Sequence, residues 1–254
     1  MIHSMDFSYQ IIAETPHYLI VSKNHELPSV PLKNERDSDT LLSQVALRYP
    51  EILFKDHEGG VLHRLDNSTR GLVLIARTID AYNYFKEEQK QGRFKKTYHA
   101  LSTNDENEKL GYPSIEIDFQ KENPIELHSS FRPYGRGRKE VRPVTEDSHI
   151  FNKRKSSPNA YTSLITYIGE QGHNKHLFVV TLTKGFRHQV RSHLAWASFP
   201  IIGDSLYGGK EHPLLHLIAS KIQFYDYNNN QLREYSLFED GINPFQEPLY
   251  KEKK

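Results

Sequence analysis

Short apolar blocks divided by polar turns run through the chain, and their periodicity changes from two to nearly four and back. Leu72 to Ala76 is continuously apolar, with no alternation, so it reads as a strand buried on both faces. Upstream, Gln10–Glu14 and Tyr18–Ser22 read as two strands joined by the turn Thr15-Pro16-His17. Asp39 or Thr40 is placed to cap a helix whose Leu41, Leu42, Val45 and Ala46 share a face, ended by Pro50. Asp80 to Gln91 sets Ala81, Tyr84, Phe85 and Glu88 at helical spacing, with Gly92 as the stop.

Beyond Gly92, Phe94 to Leu101 predicts a strand with Phe94, Lys96, Tyr98 and Ala100 on one face. Residues 102–157 are polar and too weakly periodic to assign. Tyr161–Ile168 and Leu177–Leu182 predict a hairpin around the turn-rich segment 170–175. Arg187 to Ala197 predicts a helix burying Val190, Leu194 and Ala197, and Leu214 to Phe224 a last core strand. The tail Lys251–Lys254 is expected to fray.

With 254 residues, 37% hydrophobic and 26% charged, the chain has a globular composition and is read as one domain, 1–254. No apolar run is long enough to span a membrane. Met1–Asp6 lacks the basic and apolar regions of a secretory signal, so a cytoplasmic location is the default expectation. A net charge of +1 announces no nucleic-acid binder, so any basic surface must be local. The absence of cysteine excludes disulfides, thiol nucleophiles and thiolate metal sites.

The densest chemistry precedes the buried strand. His63, Arg64 and Asp66 sit at its lip between Gly60 and Gly71. Burying such groups costs desolvation, which folds accept when the groups pair or act on a ligand. From this segment alone, a structural Arg–Asp pair explains Asp66 as well as a catalytic carboxylate does. A hydrolase using His63, Asp66 and Ser68 would crowd three triad members into one loop, without a G-x-S-x-G elbow. The 14 histidines include pairs such as His212/His216, but none has the companion residues of a known metal motif. Nucleotide-binding glycine loops are also missing.

Two further groups draw notice. The run Arg132 to Arg142, with Arg136 and Arg138 beside Tyr134, is equally a solvated loop or a set of phosphate and base contacts. Arg187, His188 and Arg191 open a helix whose dipole disfavours cations there, so an anion is expected nearby, Asp66 or a phosphate. A carboxylate, a tyrosine and an arginine (Asp66, Tyr98, Arg191) could then converge, and a carboxylate held ionised by a cation can act as a nucleophile.

These pieces, in order, resemble a known family. Leu62-His63-Arg64-Leu65-Asp66 with Thr69 and Gly71-Leu72 resembles the H-R-L-D-x-x-T-S-G-L signature of the RluA-like pseudouridine synthases. Lys96-Thr97-Tyr98-His99-Ala100 is similar to its K-x-Y-x-A segment, and Gly185 to Ala195 to its G-R-x-H-Q-I-R-x-H-L-A motif, continued by Pro200 to Gly208. The resemblance implies an α+β fold: a bent, mixed, mainly antiparallel sheet with flanking helices and a central RNA-binding cleft. It also implies isomerisation of uridine to pseudouridine in RNA, ribosomal or transfer, with no cofactor and no metal.

By motif position, Asp66 is implied as the nucleophile at uracil C6 or ribose C1′, Tyr98 as the residue stacked on the base, and Arg191 as the partner of Asp66. Arg64 is implied to occupy the space of a flipped uridine. His63, Lys96, Arg187, His188 and Gln189 are implied to line the substrate site, with Leu217 as its apolar wall. Arg136 and Arg138 would select RNA, since the residues before Gln10 leave no room for the S4 domain many relatives carry. The expected partner is RNA, not DNA or membrane, and the expected state is a monomer. The alternative is a catalytically idle RNA binder on the same fold. Arg70, Asn24 and Phe186 depart from the family pattern, at positions that usually hold Ser, Pro and Arg.

Overall fold

The computed structural model describes residues 8–32, 35, 38–105, 107 and 111–246. The expectations for Met1–Asp6 and for Lys251–Lys254 lie outside them. In chain order the elements are β1 (Tyr9–Glu14), β2 (Tyr18–Lys23), α1 (Leu41–Ala46), β3 (Arg70–Ala76), α2 (Ile79–Lys90), β4 (Lys95–Ser102), β5 (Ile125–Tyr134), β6 (Glu140–Val144), α3 (Ile150–Lys153), β7 (Tyr161–Glu170), β8 (His176–Leu182), α4 (Gln189–Trp196), β9 (Leu217–Tyr225) and β10 (Leu232–Ser236). They group into two compact units, 1–95 with 218–237 and 96–217 with 238–254.

In the first unit the strands run in the order β1-β2-β3-β9-β10. All neighbours are antiparallel except β3 and β9, which pair in parallel through Arg70↔Ile218 and Gly71↔Ala219. β3 is buried on both faces, as its unbroken apolar run predicts: Leu72 to Ala76 are all fully inaccessible. Each Val, Leu or Ile so buried contributes about 1.5–3 kcal/mol. Around it, Tyr18 meets Phe85 and Phe224 edge-on, while Phe94 stacks on Phe224 at 5.8 Å. Thr40 caps α1 reciprocally with Ser43, and Thr78 caps α2. Tyr82, rather than the expected Tyr84, is buried with Ala81, Phe85 and Glu88 on the inner face of α2.

Gly71 is required by both conformation and space. Its φ is +126°, and a Cβ there would fall 2.2 Å from the Ala219 carbonyl oxygen of the neighbouring strand. Gly71→Ala is expected to destabilise the chain by about 2–5 kcal/mol, read from urea unfolding, because it combines backbone strain with overpacking.

The second unit orders its strands β4-β8-β7-β5-β6, all antiparallel. β5, β6 and α3 fall inside the stretch 102–157 that sequence periodicity left unassigned. Serines at 129 and 130 interrupt the apolar alternation of β5, and Pro133 and Pro143 read as strand breakers although β6, last in the order, tolerates one. β10 was likewise not foreseen, since its residues are mostly exposed. The last core strand begins at Leu217, three residues later than predicted.

Candidate active site

The loop carrying Asp66 is fixed mainly through its backbone. The Ser29 hydroxyl accepts from the Leu65 N–H and donates to the Leu65 carbonyl, both at 3.0 Å. The Thr69 N–H closes a turn on the Asp66 carbonyl at 3.0 Å. His25 Nδ1 donates to the Ser68 carbonyl at 2.8 Å. Lys23, fully buried at the end of β2, donates from Nζ to the carbonyls of Asn24, Leu27 and Asn67 at 3.0, 2.7 and 3.1 Å. At the other end, Lys86 and Gln89 of α2 both donate to the Leu62 carbonyl. Sequence reasoning gave no role in the site to Lys23, His25 or Ser29.

Burial lowers the Lys23 pKa to about 8, while the nearby charges of Asp66 and Glu26 pull it back up. The unfolded lysine titrates near 10.5. Between these values the unfolded chain binds more protons than the folded one, so this group makes stability rise with pH across that window. Urea unfolding at stepped pH is expected to show that rising component in the wild type and to lose it in Lys23→Ala. The variant also leaves three carbonyls without their donor, at an expected cost of about 3 kcal/mol or more.

His63 accepts the Leu74 N–H on Nε2 at 3.3 Å and tilts over Phe94 at 5.5 Å. That occupies the lone pair a general base at Nε2 would use, and the hydrolase reading loses its base. Arg64 is exposed, at the rim of a small pocket that Val30, His63 and Lys86 also line.

In the second unit, Lys96 and Tyr98 share a face of β4, in register with Leu182 and Val180 of β8. Both side chains are largely covered, and Lys96 Nζ approaches Gly185 so closely that a Cβ there would lie 2.8 Å from it. Leu217 is buried at the start of β9. The preceding residue, His216, accepts the Leu101 N–H on its carbonyl, which ties this strand start to β4.

Arg191 is on α4, in its first turn. An anion paired with it is Asp204, a residue inside the Pro200–Gly208 motif to which the sequence reading gave no role. Arg191 Nε donates to Asp204 Oδ2 at 2.6 Å and Nη2 to Oδ1 at 2.7 Å, and the side chains are 9% and 1% exposed. The Tyr207 ring lies 5.2 Å under the guanidinium.

The neighbours of Arg191 brace this helix. Gln189, expected at the substrate, directs its amide inward: Nε2 donates to the Thr162 carbonyl and the Ser163 hydroxyl, and Oε1 accepts the Phe186 N–H. His193 lies between the Ser129 and Ser163 hydroxyls at 2.9 and 2.8 Å, and burial drops its pKa to about 3, so it is neutral. His188 caps the helix in the left-handed region, φ +56°, with Nδ1 3.1 Å from the Tyr207 hydroxyl. Phe186, standing where the family usually has arginine, stacks on Phe131 at 5.0 Å and 8°.

The basic run 132–142 is a β-hairpin, not a loop, and its arginines divide in two. Arg132 and Arg142 face each other across β5 and β6 and lie over the Tyr134 ring, with Arg142 also paired to Glu140. Arg136 and Arg138 are exposed at the tip. Arg187, though exposed, donates to the carbonyls of Arg138 and Glu140 at 2.8 and 3.3 Å and so orients that tip. Among the described residues, no helix is long and apolar enough to cross a membrane, and no cluster of three or more acidic or histidine side chains could hold a metal ion.

A mixed sheet of mostly antiparallel strands with few helices is the fold of the pseudouridine synthase class of protein. The chain belongs to the RNA pseudouridylate synthase family, whose model matches residues 17–196. It is 27% identical over 203 residues to the ribosomal large subunit pseudouridine synthase D of Yersinia pestis, covering 80% of this chain and 54% of that protein. The Escherichia coli K12 protein of the same name is 24% identical over 208 residues, 82% and 55% of the two chains. The chain thus spans about half the length of the curated relatives it matches. The human RNA pseudouridylate synthase domain containing 1 shares the fold, with a TM-score of 0.67 at 20% identity over 95% of this chain and 86% of that one.

Proposed function

We propose that the chain isomerises uridine to pseudouridine in RNA. Asp66 is the nucleophile, at uracil C6 or ribose C1′; Tyr98 stacks on the base, Arg191 pairs with Asp66, and Leu217 walls the site. Asp66 bonds to C6 or C1′, the C1′–N1 bond breaks, the base turns and C1′ joins C5; the C5 proton leaves to solvent with the help of Tyr98, N1 takes up a proton, and the bond to Asp66 breaks, so the product is an isomer of uridine and no cofactor is consumed. Arg64 fills the gap left by the flipped nucleotide, because a stacked base is out of reach of the nucleophile. Lys96 and His188 serve in the same proposed substrate site, and the exposed Arg136 and Arg138 supply local positive charge for a chain whose net charge is only +1.

The observation that carries the proposal is the Asp66 loop itself, a family signature pinned at Leu65, Asn67 and Ser68 by a buried lysine, a serine and a histidine. Such preorganisation is what a nucleophile needs and a pure RNA binder does not. The relatives' names favour large-subunit ribosomal RNA over transfer RNA as substrate, and the proposal takes the enzyme to be cytoplasmic and monomeric. The test is tritium release from RNA labelled at uridine C5, with pseudouridine mapping of ribosomal RNA from a deletion strain. Wild-type chain that binds this RNA and releases no tritium favours the idle binder instead.

A further inference from the structure

α3 is a short helix that buries nothing, yet Ile150 and Phe151 are each 57% exposed on it. The segment is held at both ends. Upstream, the Thr145 N–H donates to the Ser148 hydroxyl at 3.0 Å, and the Phe151 N–H donates to His149 Nδ1. Downstream, the Ser157 N–H donates to the Phe131 carbonyl of β5 at 2.8 Å. A single exposed apolar residue is ordinary, but two adjacent ones on an ordered, capped turn have no role in the core and form a presented patch.

The charges around the patch are sorted. Glu146 and Asp147 precede the cap, whereas Lys153, Arg154 and Lys155 follow the aromatic and are all exposed. Lys155 Nζ stands over the Phe151 ring, 3.9 Å from its centre, so an ammonium and an exposed aromatic side chain occur at one spot. A protein partner would call for a broader apolar area. An aromatic face edged by three cations has the chemistry of single-stranded RNA binding, in which a base stacks and the flanking phosphates meet cations.

We propose that the segment 149–155 is a second RNA-contact surface, which stacks an unpaired base on Phe151 and holds the flanking phosphates with Lys153, Arg154 and Lys155. The proposal rests on the reading that the substrate is RNA and adds a surface to which no motif of this chain points.

The test uses the full chain and a protein-free transcript of large-subunit ribosomal RNA. Phe151→Ala is expected to raise the Kd for the transcript, and KM where turnover is measured, about 5- to 30-fold, the effect of losing one base stack, with kcat unchanged and Phe151→Trp restoring affinity. The triple variant Lys153→Ala/Arg154→Ala/Lys155→Ala is expected to reduce the slope of log Kd against log salt by about 2. Because α3 buries nothing, the melting temperature stays at the wild-type value in all variants. Wild-type affinity and salt slope in these variants overturn the proposal. So does a Phe151→Ala defect seen on intact ribosomal subunits but not on the transcript, which assigns the patch to protein. Binding is read in an Asp66→Asn background as well, where no turnover is expected, so the surface is tested separately from the enzymatic reading, which fails only if the wild-type chain makes no pseudouridine.

Discussion

Asp66→Asn is expected to leave a folded chain that binds RNA and releases tritium from C5-labelled uridine at least about a thousandfold more slowly than wild type, the scale of loss seen when a covalent nucleophile is removed. Asparagine keeps the size and one acceptor of aspartate but has no nucleophilic oxygen. The backbone contacts described for the loop, at Leu65, Asp66, Asn67 and Ser68, come from Ser29, Lys23, His25 and Thr69 and are available to the variant as well. The melting temperature, read alongside activity, checks that the variant is folded where turnover is measured. A second effect accompanies the first. The Asp66 charge is one of the influences raising the Lys23 pKa, so its removal lowers that pKa further and extends the pH-dependent stability component to lower pH. Equal tritium release by the variant and the wild type would remove Asp66 from the mechanism.

What could be read from the residues, and what could not, divides along physical lines. The block Leu72–Ala76 announces a doubly buried strand because an unbroken apolar run has no other use in a chain of this composition. Helix α1 shows its cap locally, in Thr40. Asp66, Tyr98 and Arg191 stood out because motif spacing preserves them. Their supports did not, because supports act through tertiary contacts. Lys23 is recognisable only once three carbonyls converge on its ammonium, and Asp204 only once α4 brings a guanidinium to it. The β5–β6 hairpin was hidden for a different reason: arginine, serine and proline are set among its apolar positions, and arginine–tyrosine stacking adds to its order. The same stacking divides a basic run that looked uniform into structural arginines at 132 and 142 and exposed ones at 136 and 138.

Asp204→Asn is expected to cost about 3–5 kcal/mol, since it strands a buried guanidinium without its counter-charge. For a chain of this size that is a fall in melting temperature on the order of 6–20 °C. Asparagine can accept one of the two hydrogen bonds that Arg191 Nε and Nη2 donate, but its amide nitrogen then opposes a donor. Activity is expected to fall further than the folded fraction does, because Arg191 is aimed by that two-point clasp and Tyr207 beneath it. Measured at a temperature where the variant is fully folded, the loss is expected in kcat with KM for RNA nearly unchanged. Arg191→Lys is expected to reproduce it, as an ammonium cannot be held in a fixed plane. The double variant Arg191→Met/Asp204→Leu separates the two contributions of the pair. Replacing both charges by apolar groups removes the stranded ion and is expected to recover most of the melting temperature. It restores no guanidinium, and turnover stays at the level of the Arg191 single variant. Recovery of activity together with stability would make the pair a purely structural clasp and remove Arg191 from the catalytic set.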